Sequence, residues 1–275
     1  MNSGKSAAKT ARPAGESGLF NSSLEKGLSV LQAFDDGRPS LTLTQVASVT
    51  GLEKSAAQRF TATLVALGYL QKDQATRQYS LTSRVLQLSA NYLRCHALLE
   101  RATPYMLEWN SRYGEAVNLA EMDGTDVIFI VRYRNRHVVS PTIVAGSKFP
   151  WYISALGQAM VAYKSPEERS RILDATQPVA YASQTLVTRE ALEKRIETIR
   201  ADRFAMTHRE SFETEISLAA PVFGPTGAVI AAVGTAVVTT QCTVEEARTR
   251  LAPALLDLAQ AVSSPSQVSR PDRGF

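Results

Sequence analysis

Two cysteines in 275 residues, Cys95 and Cys242, are too few and too far apart for a disulfide framework, and they suit a reducing compartment. With only three histidines and no CxxC or HxxxH pair, zinc ligands would have to come from Cys95 and His96 with His137 or His208, and no spacing supports such a site. There is no GxSxG elbow, no GxxxxGK[ST] phosphate loop and no HExxH helix, and the three histidines show no evident catalytic pairing in sequence. The chain therefore reads as a non-enzyme with no cofactor. No apolar run is long enough for a membrane span or a signal peptide, which points to the cytoplasm and away from membranes.

What the chain does contain is enough apolar sequence, 44% of residues with 20% charged, to fill the cores of two unequal domains. Only the ends, residues 1–19 and 264–275, are too polar and too rich in Pro and Ser to fold, and they read as a flexible arm and a flexible tail. The net charge of +4 lies wholly within residues 1–86, where ten Lys and Arg face six Asp and Glu; the remainder is neutral. A basic module beside a neutral one suits a polyanion-binding head joined to a domain with another task.

SSLEKGLSVLQAF places Leu24, Leu28, Leu31 and Phe34 on one helical stripe, with Ser22 or Ser23 as N-cap. After DDGRP, Thr42 or Thr44 can cap a short helix that turns Val46, Ala47 and Val49 inward and ends at Thr50-Gly51. From Glu53 to Leu67 a third helix is expected to bury Ala56, Phe60, Leu64 and Leu67, leaving Lys54, Ser55, Ala57, Gln58, Arg59 and Thr61 outside or at its edge. Helix, glycine corner and helix form a helix-turn-helix, whose second helix enters the major groove of DNA. Gly68 stops that helix, and residues 69–81 fold back across a polar tip at 74–77 as a wing. Arg59 and Gln58 carry the donors that read guanine and adenine edges, with Ala57 and Thr61 beside them. Lys54, Ser55 and the helix amides suit phosphates, and Lys72 and Arg77 suit backbone or minor-groove contacts from the wing.

Residues 85–103 read as a linker helix that Pro104 brings to an end near Ala102, and its Leu86, Leu93, Leu98 and Leu99 exceed what a lone exposed connector needs. Over 104–263, a helix to Tyr113 precedes a hairpin, AVNLAEMDG and TDVIFIVRYRN, that turns at Asp123-Gly124. Helices are expected at 166–176 and 188–202, and strands at 214–223 and 228–238 around Gly224-Pro225-Thr226-Gly227. An antiparallel sheet with helices on its faces, an α+β architecture like that of GAF and PAS sensors, fits this order, and such a sheet can cup a small molecule. Along ETEISLAA, alternation puts Glu213, Glu215 and Ser217 on one face and Ile216 and Leu218 on the other.

SLEKGLSVLQAF, LTLTQVASVTGLEKSAAQRFTATLVALGYL and YSLTSRVLQLS closely resemble the N-terminal domain of the IclR family of bacterial regulators. GSKFPWYISALGQAMVAY and SLAAPVFGPTGAVIAAVGTAV resemble its C-terminal domain, so the likeness spans roughly residues 20–262. The resemblance implies a winged helix-turn-helix that binds duplex DNA over 20–84, an effector-binding domain over 104–263, and linker helices that help pair subunits into a homodimer or tetramer. Carried over position by position, it assigns the effector to Ala155, Leu156 and Gly157, to Glu210, Glu215 and Ser217, and to Gly234 and Thr235. The chain departs from the family at Thr214 and Glu215, where Gly and an apolar residue are usual. Glu215 reads as a polar anchor, with Arg132 or Arg134 on the facing hairpin meeting an effector carboxylate. Trp151 and Tyr152 read as packing residues at a loop-helix junction. The expected function is a sequence-specific transcription regulator whose promoter binding responds to a small organic or aromatic acid. A ligand-sensing module that binds protein but not DNA, and a hydrolase or transferase with an accessory N-terminal domain, are the other readings.

Overall fold

A computed structural model describes residues 19–135 and 143–264, in two compact units divided between Tyr92 and Leu93. The arm over 1–18, His137 and the tail from 265 lie outside the described residues.

The first unit begins with three helices, α1 (Ser22–Leu31), α2 (Leu43–Thr50) and α3 (Lys54–Ala66). A hairpin of β1 (Leu70–Lys72) and β2 (Tyr79–Leu81) follows, and then α4 (Val85–Arg94). Asn21, rather than Ser22 or Ser23, caps α1, accepting from the amides of Ser23 and Leu24. Thr42 and Gln45 close a capping box on α2, and Gly51 ends it at φ 67°, a left-handed conformation that costs a residue with a Cβ. The core gathers Val30, Ala33, Phe34, Leu41, Val46, Ala57, Leu64, Leu70 and Tyr79. It differs from the expected stripe on α1, where Leu24 and Leu28 are 61% and 50% exposed, and Val49 and Leu67 are likewise outside. An apolar stripe shows that a helix has a side to bury; which flank is covered depends on neighbours distant in sequence.

In the second unit α5 (Ala97–Tyr113) runs straight through Pro104. The expected break falls instead at Cys95 and His96, where the His96 Nδ1 accepts from the Leu99 amide and caps the new helix. Proline inside a helix costs about 3 kcal/mol. It is outweighed because Leu98, Met106 and Trp109 on the opposite face are buried, at roughly 1.5–3 kcal/mol for each large apolar side chain. Pro104 itself faces solvent, so the carbonyl it leaves unserved can meet water.

The remaining strands are β3 (Val117–Asp123), β4 (Asp126–Tyr133), β5 (Lys148–Pro150), β6 (Ala205–His208), β7 (Glu215–Phe223) and β8 (Val229–Val238). They form one antiparallel sheet in the order β5-β4-β3-β8-β7-β6. Helices α6 (Ala155–Ala162), α7 (Pro166–Ala175) and α8 (Arg189–Asp202) follow β5. After β8, α9 (Val244–Glu246) passes through a π-helical turn at Ala247–Leu251 into α10 (Ala252–Val262), with Pro253 in its first turn. One apolar cluster joins α5 and α10 to the sheet through Leu119, Leu218 and Val233, and another joins α6 and α8 through Ala120, Val127 and Ala219. Gly157 is what lets α6 approach so closely, since a Cβ there would lie 2.6 Å from the Trp151 backbone.

A buried polar cluster locks the second layer. The Arg195 Nη1 on α8 donates to Glu210 Oε1 at 2.9 Å, to the Met206 carbonyl at 2.9 Å and to Gln158 Oε1 at 3.0 Å. The Gln158 Nε2 on α6 donates in turn to Glu210 Oε2 and to the Tyr152 carbonyl. Burial pushes the Glu210 carboxyl above the ordinary carboxylate range, against the opposing pull of Arg195 and Gln158. Arg195→Met is expected to strand this carboxylate and lower stability by about 3–5 kcal/mol, a fall in Tm on the order of 10 °C. Calorimetry on the full chain checks this, and an unchanged Tm would show the arginine to be a spectator.

Candidate DNA-binding face and effector cleft

The exposed side of α3 is built by Lys54, Ser55, Gln58 and Arg59, at helical positions i, i+1, i+4 and i+5. Ala57 and Thr61 are corrected: both are 0% exposed, on the face that packs into the trihelical core. The Thr61 hydroxyl is spent on the Ala57 carbonyl at 2.9 Å, so it has no donor or acceptor role outward. The Glu53 side chain makes no capping bond to α3, and the first-turn amides beside Lys54 and Ser55 are left without a side-chain acceptor.

The wing is stitched to the segment ahead of α2 and to the exit of α3. Leu41 and Tyr79 exchange backbone hydrogen bonds at 2.9 and 2.7 Å, and the Thr82 hydroxyl donates to the Gly68 carbonyl. Asp73 organises the wing's tip by accepting from the Thr76 and Ala75 amides, and these bonds hold its carboxyl below the usual range. Arg77 follows in a left-handed conformation, φ 61°, with its side chain exposed, while the Lys72 ammonium lies 5.3 Å over the buried Tyr79 ring.

In the second unit a partly open cleft lies between the sheet, the start of α6 and the turn before β7. Of the expected effector residues, Arg132, Ala155, Leu156, Glu215, Ser217, Gly234 and Thr235 line it. Two do not. Gly157 packs on Trp151, and Glu210 is bound into the Arg195 cluster, so both are corrected to structural roles. Arg134 and Glu213 also stand elsewhere: Arg134 does not line the cleft, and Glu213 accepts from the Ser183 amide and hydroxyl in the turn ahead of β7. Trp151 and Tyr152 are packing residues, with the Trp151 indole donating to the Thr176 hydroxyl and the Tyr152 hydroxyl exchanging hydrogen bonds with the Val179 backbone.

Sequence reasoning missed Asn118, Ser211 and the aromatic side walls Phe129, Phe149 and Phe212. Phe149 stands edge-to-face with both other rings, at 5.7 and 6.2 Å between centroids. Asn118, 3% exposed, interrupts an apolar strand, and that interruption is the one local signal that could have marked it. Arg132 donates to Asn118 Oδ1 at 3.1 Å, and burial lowers its guanidinium pKa despite the attraction of Glu215. Burial raises the Glu215 carboxyl, opposed by hydrogen bonds from Ser217 and Ser211 and by the charge of Arg132. At the head of α6, Ser154 makes no side-chain cap, so the helix's first amides and Arg132 bring positive potential to one cavity.

Two family models cover the chain: the IclR helix-turn-helix domain over residues 23–74 and the bacterial transcriptional regulator IclR C-terminal domain over residues 90–264. The Pca regulon regulatory protein of Pseudomonas putida is 30% identical over 238 residues, 86% of this chain and 81% of that protein. The glycerol operon regulatory protein of Streptomyces coelicolor is 30% identical over 247 residues, 88% of this chain and 94% of that protein. In structure, an IclR family transcriptional regulator from Brucella abortus matches with a TM-score of 0.79 at 22% identity, over 92% of this chain and 95% of that one, a likeness of fold. With its helix-turn-helix, antiparallel effector-domain sheet and near full-length relatives, the chain belongs to the IclR family of bacterial transcriptional regulators.

Proposed function

We infer that the chain regulates transcription by reading a promoter through Gln58 and Arg59 and by sensing a small organic acid in the cleft walled by Arg132 and Glu215. The observation that carries the DNA half is the exposed polar and basic side of α3, presented beyond a glycine corner and flanked by the wing residues Lys72 and Arg77. Gln58 and Arg59 reach base edges; Lys54, Ser55 and the uncapped amides take phosphates. The effector half rests on charge and shape together, an aromatic-walled cleft with a guanidinium and a helix N-terminus at one end.

This is a regulator rather than an enzyme. The two carboxylates closest in sequence on the approach to β7, Glu213 and Glu215, serve different surroundings and form no acid/base pair. Among the described residues no helix is long and apolar enough to cross a membrane, and a promoter-reading role puts the protein in the cytoplasm. Self-association into a homodimer or tetramer is supported by apolar side chains on the first unit's surface, Leu24 and Leu28 on α1 and Leu86 and Leu88 on α4, all at least half exposed. Two-fold pairing also suits the reading of paired half-sites.

Replacing Gln58 and Arg59 together by Ala is expected to remove about 1–3 kcal/mol of discrimination per lost base contact. Fluorescence anisotropy on its own promoter against scrambled duplex reads this, and retained sequence preference would end the assignment. Lys54→Ala should weaken both duplexes alike and flatten the log–log salt dependence by about one unit. For assembly, Leu28→Lys with Leu88→Lys is expected to shift sedimentation toward monomer and to weaken binding to paired half-sites more than to a single one. Sedimentation identical to wild type would remove α1 and α4 from the interface.

A further inference from the structure

Glu215 is the one acidic side chain among the described residues of the cleft wall, and its two oxygens are treated differently. Oε1 accepts from the Ser217 hydroxyl at 2.5 Å and from the Ser211 hydroxyl at 3.3 Å. Oε2 accepts nothing from the described residues. The cation that bears on it, Arg132, acts through its charge, and the Arg132 Nη1 donates to Asn118. Two opposite charges thus face one aromatic-walled space.

That arrangement selects against the simplest ligands. A plain monocarboxylate would answer the charge of Arg132 and set its apolar body against the Glu215 carboxyl, while a dicarboxylate would add direct repulsion. A ligand that is neutral overall, or carries a polar hydrogen on a second group, answers both walls at once. We propose that the effector is an organic acid that also bears a hydrogen-bond donor, an ammonium or a hydroxyl group, with Arg132 taking its carboxylate and Glu215 Oε2 taking the donor. The inference rests on the cleft being the effector site. It goes beyond that reading by fixing the second functional group of the ligand, at a position where this chain departs from its family.

The test uses the full chain and pairs of acids that differ by one donor. Phenylalanine is set against 3-phenylpropionate, 4-hydroxybenzoate against benzoate, and terephthalate supplies the dianionic control. Isothermal titration on wild type, Glu215→Gln and Arg132→Gln reads the dissociation constants, with circular dichroism confirming that each variant is folded. On wild type the donor-bearing member of at least one pair should bind roughly ten-fold or more tightly than its partner, the scale of one hydrogen bond to a charged group. Which pair responds separates ammonium from hydroxyl. Glu215→Gln should erase that preference and Arg132→Gln should weaken every acid. Acids that need Arg132 yet bind without regard to the donor would overturn the proposal and leave the cleft as the effector site. Acids that bind indifferently to Arg132, or no binding by any member, would overturn the cleft assignment and the proposal with it.

Discussion

The cleft hangs on the ion pair between Arg195 and Glu210. A carboxylate 2% exposed can persist only if its charge is answered, and here a single guanidinium nitrogen answers it while also binding a carbonyl on β6 and a glutamine on α6. Gln158 passes the constraint to the Tyr152 carbonyl, just ahead of the α6 start that walls the cleft. The Glu210 carbonyl receives the Thr185 hydroxyl at 2.6 Å, and the next two residues, Ser211 and Phe212, form the cleft's lip. The cluster touches no ligand, yet it fixes the elements that would.

Legibility in the sequence followed the range of the physics involved. Turns and corners set by one or two residues, such as Asp123-Gly124, Gly51 and Gly224 to Gly227, could be read because the chemistry that makes them is local. Helix facing was harder. In α3 the run of Ala and Thr offers two equally apolar sides, and the distinction between Ala56 and Ala57 depends on where Leu64 and Phe34 already stand. Pro104 misled for a related reason: its cost is local, but much of the burial that overrides it lies on α10 and on strands β7 and β8, more than 100 residues away.

The cleft shows the same division. Alternation along β7 put Glu215 and Ser217 on one face, and the family pattern assigned them to the cleft with Ala155, Leu156, Gly234 and Thr235. It also brought Glu210 and Gly157, which serve the packing behind that wall. The phenylalanine walls came from β4, β5 and the loop before β7, a convergence that appears only once the strand order places β4 beside β5. Residues that touch a ligand and residues that hold the ones that do can carry the same sequence signature, and burial with committed hydrogen bonds tells them apart.

The wing's attachments carry a mechanical implication. Through the Leu41–Tyr79 exchange, the Thr82–Gly68 bond and the Tyr69 amide on the Leu64 carbonyl, the hairpin is riveted to both the entry of α2 and the exit of α3. Such a head is stiff, with little freedom to bend its reading helix out of shape. A chemical signal that changes promoter occupancy therefore acts on the head as a whole, as the jaw of a caliper is moved while it keeps its profile.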